Sequence, residues 1–308
     1  MVFVNSKFMV KTKMKILFIG ASGFGLRCLN SLISNSLVNV VGVITAKKDF
    51  EISYSKESVT NILHDDLDHI ASNNNIPYFI MKKNMKDEDL ISFAKSLKPD
   101  LIMVVGWYHM ITSHYFEIAP CYGLHASLLP KYCGGAPLVW ALINGERKTG
   151  ISLFQLDNGV DSGDIAGQKE VLIAEDETIK SLYQKIELKG IELIDKFVID
   201  LSLKQLKLKP QDHSKRTVYP QRSPKDGLID WSWTSTAIDR FIRAQTKPYP
   251  GAFTIYNNQK YVIYKSEIVS IDHNSVPGDY YENKGSYYFR ALDSWIKLTD
   301  FKIIPRVL

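Results

Sequence analysis

The sequence predicts an α/β protein: a Rossmann-like, mostly parallel sheet flanked by helices, followed by a small β-rich C-terminal domain. Short apolar runs in the first half alternate with helical patterns, the arrangement of βαβ units. Those runs are rich in valine and isoleucine, as buried strands are. The last third instead intersperses aromatic with polar residues around turn signals, which reads as hairpins. With 308 residues, the chain is long enough for one large domain and a smaller one.

Taken in order, residues 1–13 read as a polar leader. Lys15-Ile-Leu-Phe-Ile-Gly20 is a first buried strand ending at a glycine, Arg27–Ser34 a helix, and Val38–Thr45 a second strand. Leu101–Val105, entered through Pro99-Asp100, is a third. Ligands in such sheets bind at the carboxyl ends of strands, in the crevice where strand order reverses. Gly20-Ala-Ser-Gly23-Phe-Gly25 sits where a phosphate-cradling turn would lie. Its G-x-x-G-x-G spacing departs from the dinucleotide fingerprint, and Ile44-Thr45-Ala46 supplies no acidic ribose-binding residue. A turn that lets the chain pass is the better reading, with an acceptor phosphate on its amides as a second one.

Thr178–Leu201 places Ile179, Leu182, Ile186, Ile191, Leu193 and Ile194 on one face, a long amphipathic helix interrupted only by Gly190. The lysine-rich stretch 203–216 follows as a linker. Phe253, Tyr256, Tyr261 and Tyr264 flank Asn257-Asn258, a hairpin signal, and Tyr280–Ile304 repeats the aromatic pattern. The expected division is therefore 14–202, a linker 203–216, and 217–308.

Composition narrows the function classes. Cys28, Cys121 and Cys133 are an odd number without paired spacing, which argues against a disulfide framework or structural zinc and suits a reducing, cytoplasmic setting. No metal site is expected. No apolar run approaches the roughly 20 residues of a membrane span, so no membrane partner is expected either. The net charge of +5 is uneven: residues 201–308 carry 17 Lys+Arg against 10 Asp+Glu. Five of those cations crowd into 203–216, and from Thr217 onward the counts are 12 and 9. That modest surplus suits a phosphate-bearing small molecule better than nucleic acid, which needs many phosphate contacts.

The chemistry-bearing segment runs from Gly123 to Ile165: GLHASLLPKYCGGAPLVWALINGERKTGISLFQLDNGVDSGDI. His125 lies in a strand-like stretch, Pro137 opens a short helix, Thr149–Leu156 is a strand, and Asp157–Gly163 is a tight acidic loop. A histidine and an aspartate facing one crevice make a proton shuttle near neutral pH. Taken alone, a buried histidine and an Asp-Asn-Gly turn are more often structural.

The surrounding pattern decides between those readings. His125, Ser127-Leu-Leu-Pro130, Gly134, Thr149-Gly150 and Asp157-x-Gly-x-Asp161-x-Gly-Asp164-Ile165 closely resemble the signature of formyltransferases that use N10-formyltetrahydrofolate, and the resemblance extends from Met14 to about Phe253. It implies that N10-formyltetrahydrofolate is the formyl donor and that His125 and Asp161 are catalytic. It also implies a folate cleft between Gly106–Ile111 and Leu156–Asp161, with Tyr108, His109, Met110, Ile111, Leu156, Asn158, Gly159 and Val160 binding mainly through their backbone. One departure stands out. The family's asparagine, two residues before the histidine, donates to the formyl oxygen, and this chain has Gly123 there. Losing one such donor costs on the order of 10²–10³ in rate, so another group substitutes, turnover is slow, or the chain binds folate or a sugar nucleotide without catalysis.

Two acceptors compete within the family. Arg243-Ala-Gln-Thr-Lys-Pro-Tyr249, between Asp-Trp and Pro-Gly-Ala-Phe elements that the tRNA enzymes share, and Gly106-Trp107 with Tyr78–Asn84, resemble the branch that acts on nucleotide-linked amino sugars. The resemblance implies a dTDP-linked 4-amino-4,6-dideoxy sugar destined for a surface glycan such as O-antigen, with a homodimer as a further expectation. Lys83, Arg243 and Lys247 could neutralise its pyrophosphate, Gln245 adds an amide, and Tyr249 could stack on a base or sugar. The alternative acceptor is methionyl-tRNA.

Overall fold

The computed structural model describes residues 12–50, 59–272 and 275–305. The first eleven residues of the expected leader lie outside this range. The chain opens with β1 (Met14–Ile19), α1 (Gly23–Ser34), β2 (Val38–Ala46), the short ribbon β3 (Asp49–Phe50) and β4 (Val59–Thr60), and α2 (Leu67–Asn73). It continues through β5 (Tyr78–Met81), α3 (Glu88–Ser96), β6 (Leu101–Val104), α4 (Ser113–Phe116) and β7 (Cys121–His125). Next come β8 (Cys133–Gly134), α5 (Pro137–Ile143), β9 (Lys148–Gln155), β10 (Ile165–Leu172) and α6 (Ile179–Ser202). After β11 (Val218–Tyr219) and α7 (Ser235–Gln245), the chain ends in β12 (Ala252–Tyr256), β13 (Gln259–Val269), β14 (Tyr280–Asn283), β15 (Ser286–Arg290) and β16 (Trp295–Pro305).

A seven-stranded sheet orders these as β10-β9-β7-β6-β1-β2-β5. The five strands from β5 to β7 are parallel, while β9 and β10 are antiparallel additions. Strand β1 shows why the sheet is buried on both faces. Ile16 and Phe18 enter the core beneath α1 and α6, whereas Leu17 and Ile19 enter the opposite core beneath α3, as the two-residue period of a strand requires. The order reverses at β1, between β2 and β6, which puts the crevice at the ends of these central strands. Helix α6 runs unbroken through Gly190, starting at a capping box formed by Thr178 and Ser181.

The glycine turn after β1 is packed shut. Ser22 caps α1 by accepting from the Gly25 amide at 3.1 Å, and Gly23 donates to Leu63 O at 2.9 Å. Gly106 lies directly against Ser22: at φ +62°, a Cβ there would fall 1.8 Å from Ser22 Oγ. Glycine alone combines that conformation with that approach.

In the C-terminal part, β12-β13-β16-β15-β14 form an antiparallel sheet with α7 packed on it around Ile238, Phe241, Ile242, Ile263, Phe289 and Ile296. The β12–β13 turn is Asn257-Asn258, both at positive φ, the geometry a two-residue hairpin needs. The stretch 203–216 is ordered rather than a free tether. Lys209 forms a two-way backbone pair with Ile165 at 2.8 and 2.9 Å, and β11 pairs with β8.

Candidate active site

Strand β7 ends at His125, and its pleat determines what faces the cleft. Cys121 belongs to the core beneath α3, while Tyr122 points to the other face and packs on Phe197, ring centroids 4.7 Å apart. Gly123 and His125 therefore share the Cys121 side. Above them opens a cavity of about 580 Å³. Its walls are Gly106–Ile111 after β6, Gly123–His125, Gly134–Ala136, Leu156, Asp157 and Gly159–Asp161 of the loop after β9, and Tyr219 with Gln221.

The two expected catalytic side chains meet in this wall. His125 Nδ1 lies 3.6 Å from Asp161 Oδ2, with the two side chains 11% and 19% exposed. His125 Nε2 is 2.7 Å from Tyr132 O. A carbonyl can only accept, so Nε2 carries the proton and Nδ1 is the nitrogen left to exchange one. Asp161 in turn accepts from the Gly134 amide at 2.8 Å. Its own backbone takes the left-handed conformation, φ 51°, which aspartate tolerates better than most residues.

Residues far along the chain hold that conformation. Gln211 donates to Asp161 O at 2.9 Å and Gly163 O at 2.7 Å, and Arg216 donates to Val160 O at 2.6 Å. Within the loop, Gly159 N and Ser162 Oγ both bond Asp157 Oδ1, and Leu156 N donates to Cys121 O. Much of the loop's polar backbone is thus already tied up, and Asn158 is exposed and outside the cavity wall. On the facing loop, Trp107 Nε1 is buried without a hydrogen-bond partner among the described residues, and burial holds His109 below the usual imidazole range. A flat heterocycle with several acceptors could satisfy such a donor.

The structure does not bring the five expected acceptor contacts to this cavity. Arg243 is paired with Asp239 at 2.7 Å and donates to Glu177 O. Gln245 is buried and accepts from Arg222 at 3.0 Å. Tyr249 shares a 2.7 Å hydrogen bond with Tyr183 against the main core. Lys247 pairs with Asp300 at 3.2 Å and covers the Tyr264 ring, and Lys83 is an exposed residue after β5. In each of the first four, internal partners take up the charge or polarity that a substrate would need. The residues that do line or brace the site without a motif to announce them are Tyr132, Gln211, Arg216, Tyr219 and Gln221. Among the described residues there is no group of three or more His, Cys, Asp or Glu placed to hold a metal, and no helix is long and apolar enough to cross a membrane.

Comparison with known proteins agrees with this geometry. Residues 14–197 match the formyl transferase family model, and residues 222–304 match the formyl transferase C-terminal domain. The chain belongs to the formyl transferase family. It is 34% identical over 86% of its length to methionyl-tRNA formyltransferase from Alkaliphilus oremlandii, covering 84% of that protein. It is 35% identical over 78% of its length to the enzyme of the same name from Kosmotoga olearia, covering 76% of it. Three solved structures share the fold. An N-formyltransferase from Helicobacter canadensis, in complex with folinic acid and dTDP-3-aminofucose, superposes with TM-score 0.67 at 20% identity, over 94% of this chain and 100% of that one. Methionyl-tRNA formyltransferase from Clostridium thermocellum gives 0.56 at 19%, over 95% and 99%. HypX from Aquifex aeolicus gives 0.64 at 15% over 96% of this chain, which spans about half the length of HypX, 48%. Formyltransferase chemistry is thus the family's.

Proposed function

We propose that this chain transfers the formyl group of N10-formyltetrahydrofolate to a primary amine, with His125 moving the proton and Asp161 holding and balancing it. The observation that supports this reading is the state of His125: Nε2 is committed to Tyr132 O while Nδ1 stands beside Asp161 in the cavity wall. The neutral amine attacks the formyl carbon, a C–N bond forms, and the carbonyl electron pair moves onto oxygen. The new ammonium releases a proton to His125 Nδ1, whose positive charge Asp161 balances. Collapse of the oxyanion breaks the bond to N10, which leaves as an amine after taking the proton held on His125 Nδ1.

The acceptor best supported is methionyl-tRNA, because the relatives at 34% and 35% identity over most of the chain carry that activity in their names. It takes precedence over the nucleotide-linked amino sugar, whose expected contacts Arg243, Gln245, Lys247 and Tyr249 have partners within the chain. A specific observation keeps the sugar as the second reading: from Thr217 onward, 12 cations face 9 acidic residues, a small surplus for an RNA surface. One assay tests both. The protein is mixed with N10-formyltetrahydrofolate and either charged initiator tRNA or dTDP-4-amino-4,6-dideoxyglucose, and tetrahydrofolate release is followed. Release with tRNA alone supports the first reading and release with the sugar alone the second. No release with either removes the proposed transfer to both acceptors.

A further inference from the structure

Gly123 leaves the formyl oxygen without the asparagine that the family's signature places there, and the structure eliminates most neighbouring substitutes. Tyr122 faces the opposite side of the sheet. Ser127 is fully buried and its hydroxyl donates to Lys131 O at 2.7 Å. Asn158 is outside the cavity wall. The space facing Gly123 holds the Leu156 side chain, since a Cβ on Gly123 would lie 3.0 Å from Leu156 Cδ2. Among the described residues lining the cavity, one side-chain amide remains, that of Gln221; the other unpaired donor, Trp107 Nε1, is fully buried.

Its placement is built rather than incidental. Gln221 lies against Gly135: a Cβ there would fall 2.4 Å from Gln221 Cα and 2.5 Å from Gln221 Oε1, so only glycine admits it. Both chain neighbours of Gln221 are clamped. Pro220 O accepts from Trp140 Nε1 at 2.9 Å, and Arg222 covers the Trp140 ring at 4.7 Å while donating to Asp226 O and Gln245. Two residues earlier, Tyr219 pairs with Gly134, the residue whose amide binds Asp161. The segment carrying Gln221 is thus tied to the same backbone that orients the catalytic pair, while its amide has no hydrogen-bond partner among the described residues. The side chain itself is exposed, but the backbone that carries it to the cavity is fixed, so the donor can reach a developing oxyanion without moving the chain.

We propose that the Gln221 side-chain amide donates to the formyl oxygen as it becomes an oxyanion, taking over the role that the asparagine has in the family signature. This rests on the formyl-transfer reading above, and the experiment separates the two. Tetrahydrofolate release is measured for the wild type, Gln221→Ala and Gln221→Met, the last keeping the side chain's length while removing its donor. Turnover is followed with charged initiator tRNA, with dTDP-4-amino-4,6-dideoxyglucose and with water as acceptors, and binding of 5-formyltetrahydrofolate by calorimetry. Both variants should lower kcat by roughly 10²–10³ with folate affinity kept within about threefold. Placing Gly123→Asn, with Leu156→Ala to make room, in the Gln221→Met background should restore at least tenfold relative to the Leu156→Ala/Gln221→Met control. A structural role for Gln221 would not produce that rescue. A kcat within twofold of wild type in both variants, or no rescue by the restored asparagine, overturns the role of Gln221 while leaving formyl transfer standing. A wild type that releases no tetrahydrofolate with any of the three acceptors overturns both.

Discussion

His125 Nδ1 lies 3.6 Å from Asp161 Oδ2, while the opposite nitrogen of the same ring is 2.7 Å from Tyr132 O. The two contacts act on different properties. The carbonyl of Tyr132 selects the tautomer and fixes the ring plane, and the carboxylate of Asp161 lies beside the nitrogen that would take the proton in the proposed transfer. The distance to Asp161 is long for a hydrogen bond and within reach of a charge interaction.

Replacement of the pair should therefore separate charge from shape. His125→Ala removes the proton carrier and should lower kcat by roughly 10²–10⁴. Asp161→Asn keeps a side-chain oxygen for the Gly134 amide but loses the charge, and should lower kcat by about 10² while leaving the circular dichroism spectrum unchanged. Tetrahydrofolate release by Asp161→Asn at the wild-type rate would show that the carboxylate charge takes no part.

Gln211 braces the aspartate without touching its carboxylate. Its amide donates to Asp161 O and Gly163 O, and the residue is 7% exposed. Gln211→Ala leaves two carbonyls without their partner, at about 1 kcal/mol per net hydrogen bond and more where water cannot reach. The expected result is a loss of about 2 kcal/mol in denaturant-extrapolated stability together with a kcat lowered at least tenfold, as the left-handed turn at Asp161 relaxes. Full kcat with reduced stability would mean that the turn holds itself.

What was legible in the sequence follows from how local each signal is. The buried strand at Lys15–Gly20, the Asn257-Asn258 hairpin and the Thr178 start of α6 are decided within a few residues, and the structure shows them where the pattern puts them. His125 and Asp161 were legible only through the fixed spacings around them. Gln211, Arg216 and Gln221 were not, because their contacts cross tens of residues and mostly engage backbone atoms, which leave no trace in side-chain type. For Arg243 a local signal of another partner exists. Asp239 stands four residues before it on α7, the spacing of a helical ion pair, and that pairing competes directly with a substrate phosphate.

Gly190 poses two opposed effects within α6. Alanine there would gain about 1 kcal/mol of helix propensity. Its Cβ, however, would lie 2.4 Å from Phe24 Cζ and 2.9 Å from Ile151 Cδ1, and Ile151 is fully buried. Overpacking of this kind costs about 1–3 kcal/mol. Packing should win narrowly, so Gly190→Ala is expected to lower the urea midpoint by the equivalent of about 1 kcal/mol with an unchanged m-value. A raised midpoint would show that Phe24 swings aside freely.

The three cysteines give a pH prediction whose sign is set by burial. Desolvation pushes the Cys133 thiol up to about 11 and the Cys121 thiol up to about 12, and raises Cys28 as well. At pH 8 all three are protonated thiols in the folded chain and poor nucleophiles, so a thiol reagent should titrate no fast-reacting group until denaturant is added, and then three. The same shifts bear on stability. Each folded thiol holds its proton above the pH at which the unfolded thiol, near 9, has lost it, so unfolding in that range releases protons. The thiol contribution is fully present below about pH 9 and declines as pH rises through 11 for Cys133 and 12 for Cys121. Thermal midpoints measured from pH 8 to pH 11 should fall, and Cys133→Ala should fall less steeply than wild type across the same range. Equal slopes for the two proteins would show that Cys133 is not shielded from water in the folded state.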